Sequence, residues 1–218
     1  MSKYIFLTRM IKNGMPCYNG NISVLITPDK SIESGDRNNT LTIKMNNHIG
    51  THIDFPNHCI SDGKTINDFP PDWFVFDKIF ICDIPLDVGV CIDDKMLEQH
   101  GCMGNDAEML ILRTGYGRFY NDRKYWYDNP GLSPKAAKYI KNSFPKLRAL
   151  GVDFISINAY SYKEDGRKAH IELMKNDEIA IIEDMDLSSL TEHVKRIVVA
   201  PLLIYKADGA PCNVMAEV

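Results

Sequence analysis

Three absences bound what this chain can be. No apolar run approaches the roughly 18 residues that a membrane-spanning helix requires. Lysine and arginine, 25 together, are outnumbered by 29 aspartates and glutamates, and the formal net charge is −4. That does not favour nucleic acid or an anionic membrane surface as a partner, since both call for clustered Lys and Arg. Cysteine is sparse, six in all at 17, 59, 82, 91, 102 and 212, with no CxxC pair and none of the spacings of a small disulfide scaffold. Met1-Ser2-Lys3-Tyr4 leads directly into an amphipathic strand, not into a signal peptide, so reduced cysteines and a cytoplasmic protein are the expectation. Linkers, internal repeats and low-complexity tracts are missing too, so residues 1–218 are expected to form a single domain. What is present, 44% hydrophobic and 25% charged residues, is the ordinary mixture of a soluble globular chain with enough length for a substantial core.

Histidine is equally scarce, which makes its distribution informative. Three of the six fall within His48-Ile-Gly-Thr-His52-Ile-Asp54-Phe-Pro56-Asn-His58, and imidazole nitrogen and carboxylate oxygen are the usual ligands of a catalytic divalent metal. A continuous helix would place His48 and His52 on one face and send Asp54 elsewhere. A continuous strand would hold His48 and His52 about 13 Å apart, too far to share an ion. The workable arrangement is a tight turn across Gly50-Thr51 followed by an extended His52-Ile53-Asp54 whose outer side chains point the same way. Gly50 permits the turn, and Pro56 stops a helix from running through. A histidine-rich surface loop would explain the composition without chemistry. A structural zinc site would normally use paired cysteines, and Cys59 has no such pair.

The rest of the chain reads as mixed α/β. Strands are expected over 4–9, 22–27, 40–45, 78–84, 88–92, 108–113, 150–157 and 178–182, with a terminal strand over 212–217. The strand over 40–45 delivers the chain into the histidine motif, and ligands at the end of a rigid strand are held more precisely than ligands within a loop. The polar stretch 28–39 is a loop, either a flap over a site or a connection without a role. Asp93 caps a short helix ending near His100. Ser133-Pro134 starts another, with Ala136, Ala137, Ile140 and Phe144 on its buried face. The strand, helix, strand order around it suggests a crossover unit. Lys168-Ala169-His170 opens a helix through Met174, and 187–193 is expected to form a short helical turn. Phe55, Phe69, Trp73 and Phe74, and the aromatic run 120–127, are either core or lining of a substrate pocket or interface. On their own, His170 is a helix-surface residue and Glu183 a strand-end carboxylate that needs a cationic partner if buried.

The pattern HxGTHxDxPxH, complete here as His48, Gly50, Thr51, His52, Asp54, Pro56 and His58, resembles the signature of the cyclase family of metal-dependent hydrolases, which includes kynurenine formamidase and isatin hydrolase. The resemblance runs from about Tyr4 to Ala216. It takes in Asn13-Gly14-Met15-Pro16 with Tyr18, and the Arg113-Thr114-Gly115-aromatic segment. It implies a layered β/β/α sandwich with mixed sheets, a metal held by His48, His52 and Asp54, and His58 beside it as a proton-transfer residue. His170 and Glu183 would complete the coordination, for a second ion if Asp54 bridges two. Where the family tends to carry aspartate, this chain has Asn158.

The resemblance therefore implies one or two divalent ions, zinc the favoured metal and manganese the other candidate. Such an ion lowers the pKa of a bound water toward about 7. The implied activity is hydrolysis of an amide or formamide C–N bond, arylformamidase-like, on a small aromatic substrate, with His58 delivering a proton to the leaving amine. Ring-opening hydrolysis of a cyclic amide or lactone is the rival within enzymes, and a metal-bearing binding protein the rival outside them. A homo-oligomer, dimer or tetramer, is also implied.

Overall fold

The computed structural model describes residues 3–20, 24–177 and 179–218. Residues 22, 23 and 178, where two of the expected strands begin, lie outside it. The strands are β1 (Tyr4–Phe6), β2 (Val24–Lys30), β3 (Thr40–Met45), β4 (His52–Asp54), β5 (Val75–Phe76), β6 (Ile79–Asp83), β7 (Cys91–Ile92), β8 (Met109–Arg113), β9 (Gly131–Leu132), β10 (Ala149–Val152), β11 (Ala180–Glu183), β12 (Arg196–Pro201) and β13 (Gly209–Glu217). The helices are α1 (Asp94–Gln99), α2 (Lys124–Tyr127), α3 (Pro134–Ser143) and α4 (Lys163–Met174).

Nine strands form one mixed sheet in the order β5-β12-β13-β4-β11-β10-β8-β6, with β1 added to β13. The strands β11, β10, β8 and β6 run parallel to their neighbours in that series, and β4, β12, β13 and β5 pair antiparallel. The outermost strands β5 and β6 are separated in sequence only by Asp77 and Lys78, so the two ends of the sheet must meet. The sheet curls until it is nearly a barrel. Its interior holds one apolar core, with Ile53, Met109, Ile111, Ile182, Ile197 and Val214 facing one another. Its outer face carries a second core, in which Leu110, Leu112, Leu150, Val152 and Ile181 meet Ala136, Ile140, Ala169 and Leu173 of α3 and α4. Two sheet walls and a helical layer give the expected β/β/α layering. Strands β8, β10 and β11 are apolar at nearly every position because both faces are covered.

The crossover unit is present: α3 connects the parallel pair β8 and β10. Ser133 Oγ accepts from the Ala136 amide at 3.1 Å and Pro134 occupies the first turn, as the cap and proline preferences predict. Several expectations change, among them the strands expected over 150–157 and 88–92, which shorten to β10 and β7. Helix α4 begins at Lys163, five residues before Lys168, and His170 lies in its interior. The segment 187–193 forms a turn at 188–189 and no helix. Strand β3 is not part of the main sheet. It pairs with β2 alone in a two-stranded ribbon, and β2 extends to Lys30 across residues expected to be loop. The rigid strand that carries the histidine motif is instead β4, at the centre of the large sheet.

Candidate metal centre

Each residue of the motif is placed by a local physical cause. Gly50 adopts φ +59°, and a Cβ there would meet Met15 Cε at 2.9 Å, so the turn requires glycine. The side chain of Thr51 is tied from both sides, accepting from the Arg9 amide at 2.8 Å and donating to the Asp184 carbonyl at 2.7 Å. Strand alternation then points His52 and Asp54 to one face of β4, where they are 5% and 1% exposed. Glu183 of β11 is in register with His52. Pro56 opens a short 3-10 turn that ends at His58. His170 comes in from α4, and all six predicted side chains line one cavity of about 580 Å³.

The inner cluster has the dimensions of an ion shell. His52 Nε2 stands 3.4 Å from Asp54 Oδ1 and 3.5 Å from Glu183 Oε2. His170 Nε2 approaches the other oxygens of the same acids, Glu183 Oε1 at 3.3 Å and Asp54 Oδ2 at 3.8 Å, and belongs to neither group of donors close enough to share one ion. Ligand atoms each about 2.1 Å from a tetrahedral ion lie about 3.4 Å apart. The ring orientation agrees: His52 Nδ1 donates to the Gly50 carbonyl at 2.7 Å and His170 Nδ1 to the Gly166 carbonyl at 2.9 Å. That leaves each Nε2 lone pair aimed at the carboxylates, the orientation seen when a ligating imidazole is held by its other nitrogen. These residues fit a divalent ion.

A second group, His48, Asp54 and His58, shares Asp54 with the group His52, Asp54 and Glu183, and in each group the donor atoms lie within 4.8 Å of one another. His48 differs from the inner histidines because both its nitrogens face acids, Asp54 Oδ1 at 2.7 Å and Asp208 Oδ2 at 3.0 Å. Burial works against its charge, but the bond and charge of Asp54, then those of Asp208, outweigh it and raise its pKa to about 9. For Asp54, burial likewise pushes upward, and the charge of His52 and the bond from His48 reverse this and hold its carboxyl well below the usual range. His48 is thus paired with Asp54 by both distance and charge.

Asp208 went unremarked in the sequence except as part of a turn. Its Oδ2 accepts from His58 Nδ1 at 2.9 Å as well as from His48. It reaches the site because β13 pairs with β4, setting Gly209 opposite Asp54. Tyr18, Cys59, Asn158 and Arg167 also line the cavity. The two aromatic clusters do not. Phe55, Phe69, Trp73 and Phe74 pack on one another, Phe69 and Trp73 with centroids 4.6 Å apart. In the run 120–127, Tyr125 is fully buried and donates to Asp184 Oδ1 at 2.5 Å. The first cluster belongs to the interior core, whereas in the run 120–127 only Tyr125 is buried and Tyr120 and Trp126 pack half-buried against the outer core.

A buried His/Asp/Glu cluster at the floor of a cavity, on the central strand of a curled mixed sheet, defines a candidate metalloprotein of the α/β class. Residues 5–159 match the family model described as putative cyclase, and the chain belongs to that family. It is 28% identical over 212 residues to a kynurenine formamidase of Bacillus cytotoxicus, covering 96% of this chain and 95% of that one. Among solved structures it is similar to isatin hydrolase A from Ralstonia solanacearum, with TM-score 0.81, 20% identity, and coverage of 100% of this chain and 92% of that one. It is also similar to a predicted metal-dependent hydrolase from Bacillus stearothermophilus, with TM-score 0.76, 24% identity, and coverage of 100% and 98%.

Proposed function

We propose that this protein is a metal-dependent hydrolase of a C–N bond, arylformamidase-like, acting on a small aromatic amide. The observation that carries the reading is the inner cluster: two imidazoles, each tied at Nδ1 to a backbone carbonyl, facing two carboxylates, beside a third imidazole that is hydrogen-bonded to an acid. His52, Asp54 and Glu183 would hold the ion, with His170 beside them. Where a second ion binds, His48 joins Asp54 in holding it. Bound zinc or manganese would supply a polarised substrate carbonyl and a water acidified toward neutrality. His58, its side chain 32% exposed, remains free to move a proton. Asp208 accepts from its Nδ1, fixes the ring and leaves Nε2 to hand a proton to the departing amine. The likeness in fold to isatin hydrolase A favours ring opening of a cyclic amide as the second reading. Metal analysis of the purified protein, with turnover of formamides, cyclic amides and lactones before and after chelation, tests both. Formamide turnover that needs metal is expected, and turnover untouched by complete metal removal would refute the reading. Lactam turnover without formamide turnover would select the second.

The reading includes a cytoplasmic homo-oligomer. No helix among the described residues is long and apolar enough to cross a membrane. In the β2–β3 ribbon, Val24, Ile26 and Pro28 pair with Met45, Ile43 and Leu41, so one face is wholly apolar. Its base is buried against Met15 and Ile49, while Leu41 and Ile43 are 59% and 52% exposed. A lone two-stranded ribbon with an uncovered apolar face is marginal in water, and a second copy would cover it. Light scattering is expected to give a dimer or tetramer, and Leu41→Lys/Ile43→Lys to shift it to monomer. A monomeric wild type at micromolar concentration would remove the proposal.

A further inference from the structure

One face of α4 leads from the floor of the metal cavity to its mouth. His170, Arg167 and Lys163 follow one another on it at helical spacing, and all three line the cavity. His170 is 4% exposed, at the floor. At 1.5 Å per residue, Arg167 stands about 4.5 Å and Lys163 about 10 Å further along the axis, where the helix surface is exposed. Helical side chains lean toward the N-terminus, so the Arg167 guanidinium lies on the mouth side of the ligands.

That guanidinium is uncommitted. Arg9, Arg113, Arg118, Arg148 and Arg196 each bond an acid or a backbone carbonyl, and Arg123 lies over the Tyr127 ring, 4.7 Å from its centroid. Among the described residues Arg167 has no ion pair or hydrogen bond, a condition it shares with Arg37 in the connection between β2 and β3. Glu164 stands one turn before it, at a spacing that pairs opposite charges on a helix. It also lines the cavity, yet the two form no bridge. Lys163 Nζ is taken up by the Tyr160 ring, 4.1 Å from its centroid. The charge of Arg167 is felt instead across the mouth. Burial, then the charges of Asp54 and Glu183, push the Cys59 thiol up to about 12, and Arg167 is the cation that works against them. Cys59 follows His58 and lines the same cavity.

We propose that Arg167 is a specificity-determining residue that holds a carboxylate of the substrate at the cavity mouth, away from the bond that is cut. The planar fork of guanidinium donors matches a carboxylate in geometry as well as in charge. A divalent ion would offset the charges of Asp54 and Glu183, and Asp184 is faced by Arg9, so Glu164 is the acid that an entering anion must outweigh. The inference rests on the hydrolase reading and adds to it: the favoured substrates carry an acid group on the part that stays clear of the ion.

The test compares carboxylates with carboxamides of the same shape on the zinc-loaded protein. The substrates are 3- and 4-formamidobenzoate against the matching formamidobenzamides. The ligands, followed by calorimetry, are 3- and 4-aminobenzoate against the matching aminobenzamides. For at least one pair the wild type is expected to prefer the acid about tenfold, in kcat/KM and in affinity, the size of one partly solvated charge-assisted hydrogen bond. Added salt should shrink the preference. Arg167→Gln should bring the ratio within about twofold, Arg167→Glu should invert it, and Arg167→Lys, a point charge without the fork, should keep part of it. Arg37→Gln makes the same change of charge away from the cavity and should keep the wild-type ratio. Arg167 is exposed, so its variants are expected to fold. Equal handling of acid and amide by the wild type, or an acid preference that survives in Arg167→Gln, would overturn the proposal, the first being the result if Arg167 meets only water. Failure of the hydrolase reading shows up separately, as absent turnover of every formamide, and the ligand pairs then still decide whether Arg167 holds an anion.

Discussion

Replacing Asp54 is expected to empty the centre and to lower turnover at least about 10³-fold, because the several kcal/mol that a bound metal contributes at the transition state are lost together. Asp54 belongs to both groups that can hold an ion. It is 1% exposed, its Oδ1 accepts from His48 at 2.7 Å, and its carboxyl is held ionised by the surrounding imidazoles. Among the described residues it is the one member that both groups share. Asp54→Asn is the discriminating variant, since it keeps the volume in the middle of β4 and removes only the charge. Thermal melting provides a readout independent of activity. Metal at about 1,000 times its dissociation constant stabilises a folded protein by about 4 kcal/mol, and for a chain of this size each kcal/mol moves the midpoint by about 2–4 °C. Excess zinc should therefore raise the wild-type midpoint by roughly 10 °C and leave Asp54→Asn nearly unmoved. A full equivalent of zinc retained in the variant, or an equal thermal response, would remove Asp54 from the centre.

The motif could be read from the sequence because its geometry is local. A turn at Gly50, two-residue alternation between His52 and Asp54 and a stop at Pro56 all lie within the reach of one short segment, and the structure has each of them. The cap at Ser133 is equally local. Asp208 shows the other extreme. In sequence it is the aspartate of an Asp-Gly pair, the commonest kind of turn. Only the antiparallel pairing of β13 with β4, a contact across some 150 residues, brings it to His58. His170 and Glu183 lie between these cases. Spacing alone left them as a helix-surface residue and a strand end, the family resemblance proposed them as ligands, and the register of β11 on β4 places Glu183 beside His52.

The start of α4 was missed for a different reason. Its first turns, Lys163-Glu-Asp-Gly166-Arg-Lys168, are polar and contain a glycine that propensity counts against helix. The glycine is there because Asn158 lies against it, a tertiary demand that local pattern does not display. The β2–β3 ribbon misleads in the opposite direction. Leu41, Ile43 and Met45 alternate as a half-buried strand should, yet the outer half of that face is uncovered in the single chain. Alternation records that a face is meant to be covered; whether by the same chain or by another copy is not encoded in the period.

The second large effect concerns His58. Its ring lies 4.2 Å from that of His48, centroid to centroid, and its Nδ1 is bonded to Asp208 at 2.9 Å. It lies outside the group His52, Asp54 and Glu183, whose donor atoms lie within 4.8 Å of one another. Truncating it should thus leave the first ion bound while removing the group that protonates the leaving nitrogen. For His58→Ala the expected result is a metal content equal to wild type and a turnover lower by about 10²–10⁴, the usual contribution of a positioned acid or base. The deficit should shrink for substrates whose leaving group needs no proton, so an activated anilide with an electron-poor ring should lose less than formanilide. Asp208→Asn should act in the same direction through His58, with a smaller loss and an altered pH profile, because an amide fixes the ring less firmly and does not stabilise the imidazolium. Loss of metal together with activity in His58→Ala would make His58 a ligand of the outer group, and the proton would then have to come from another residue.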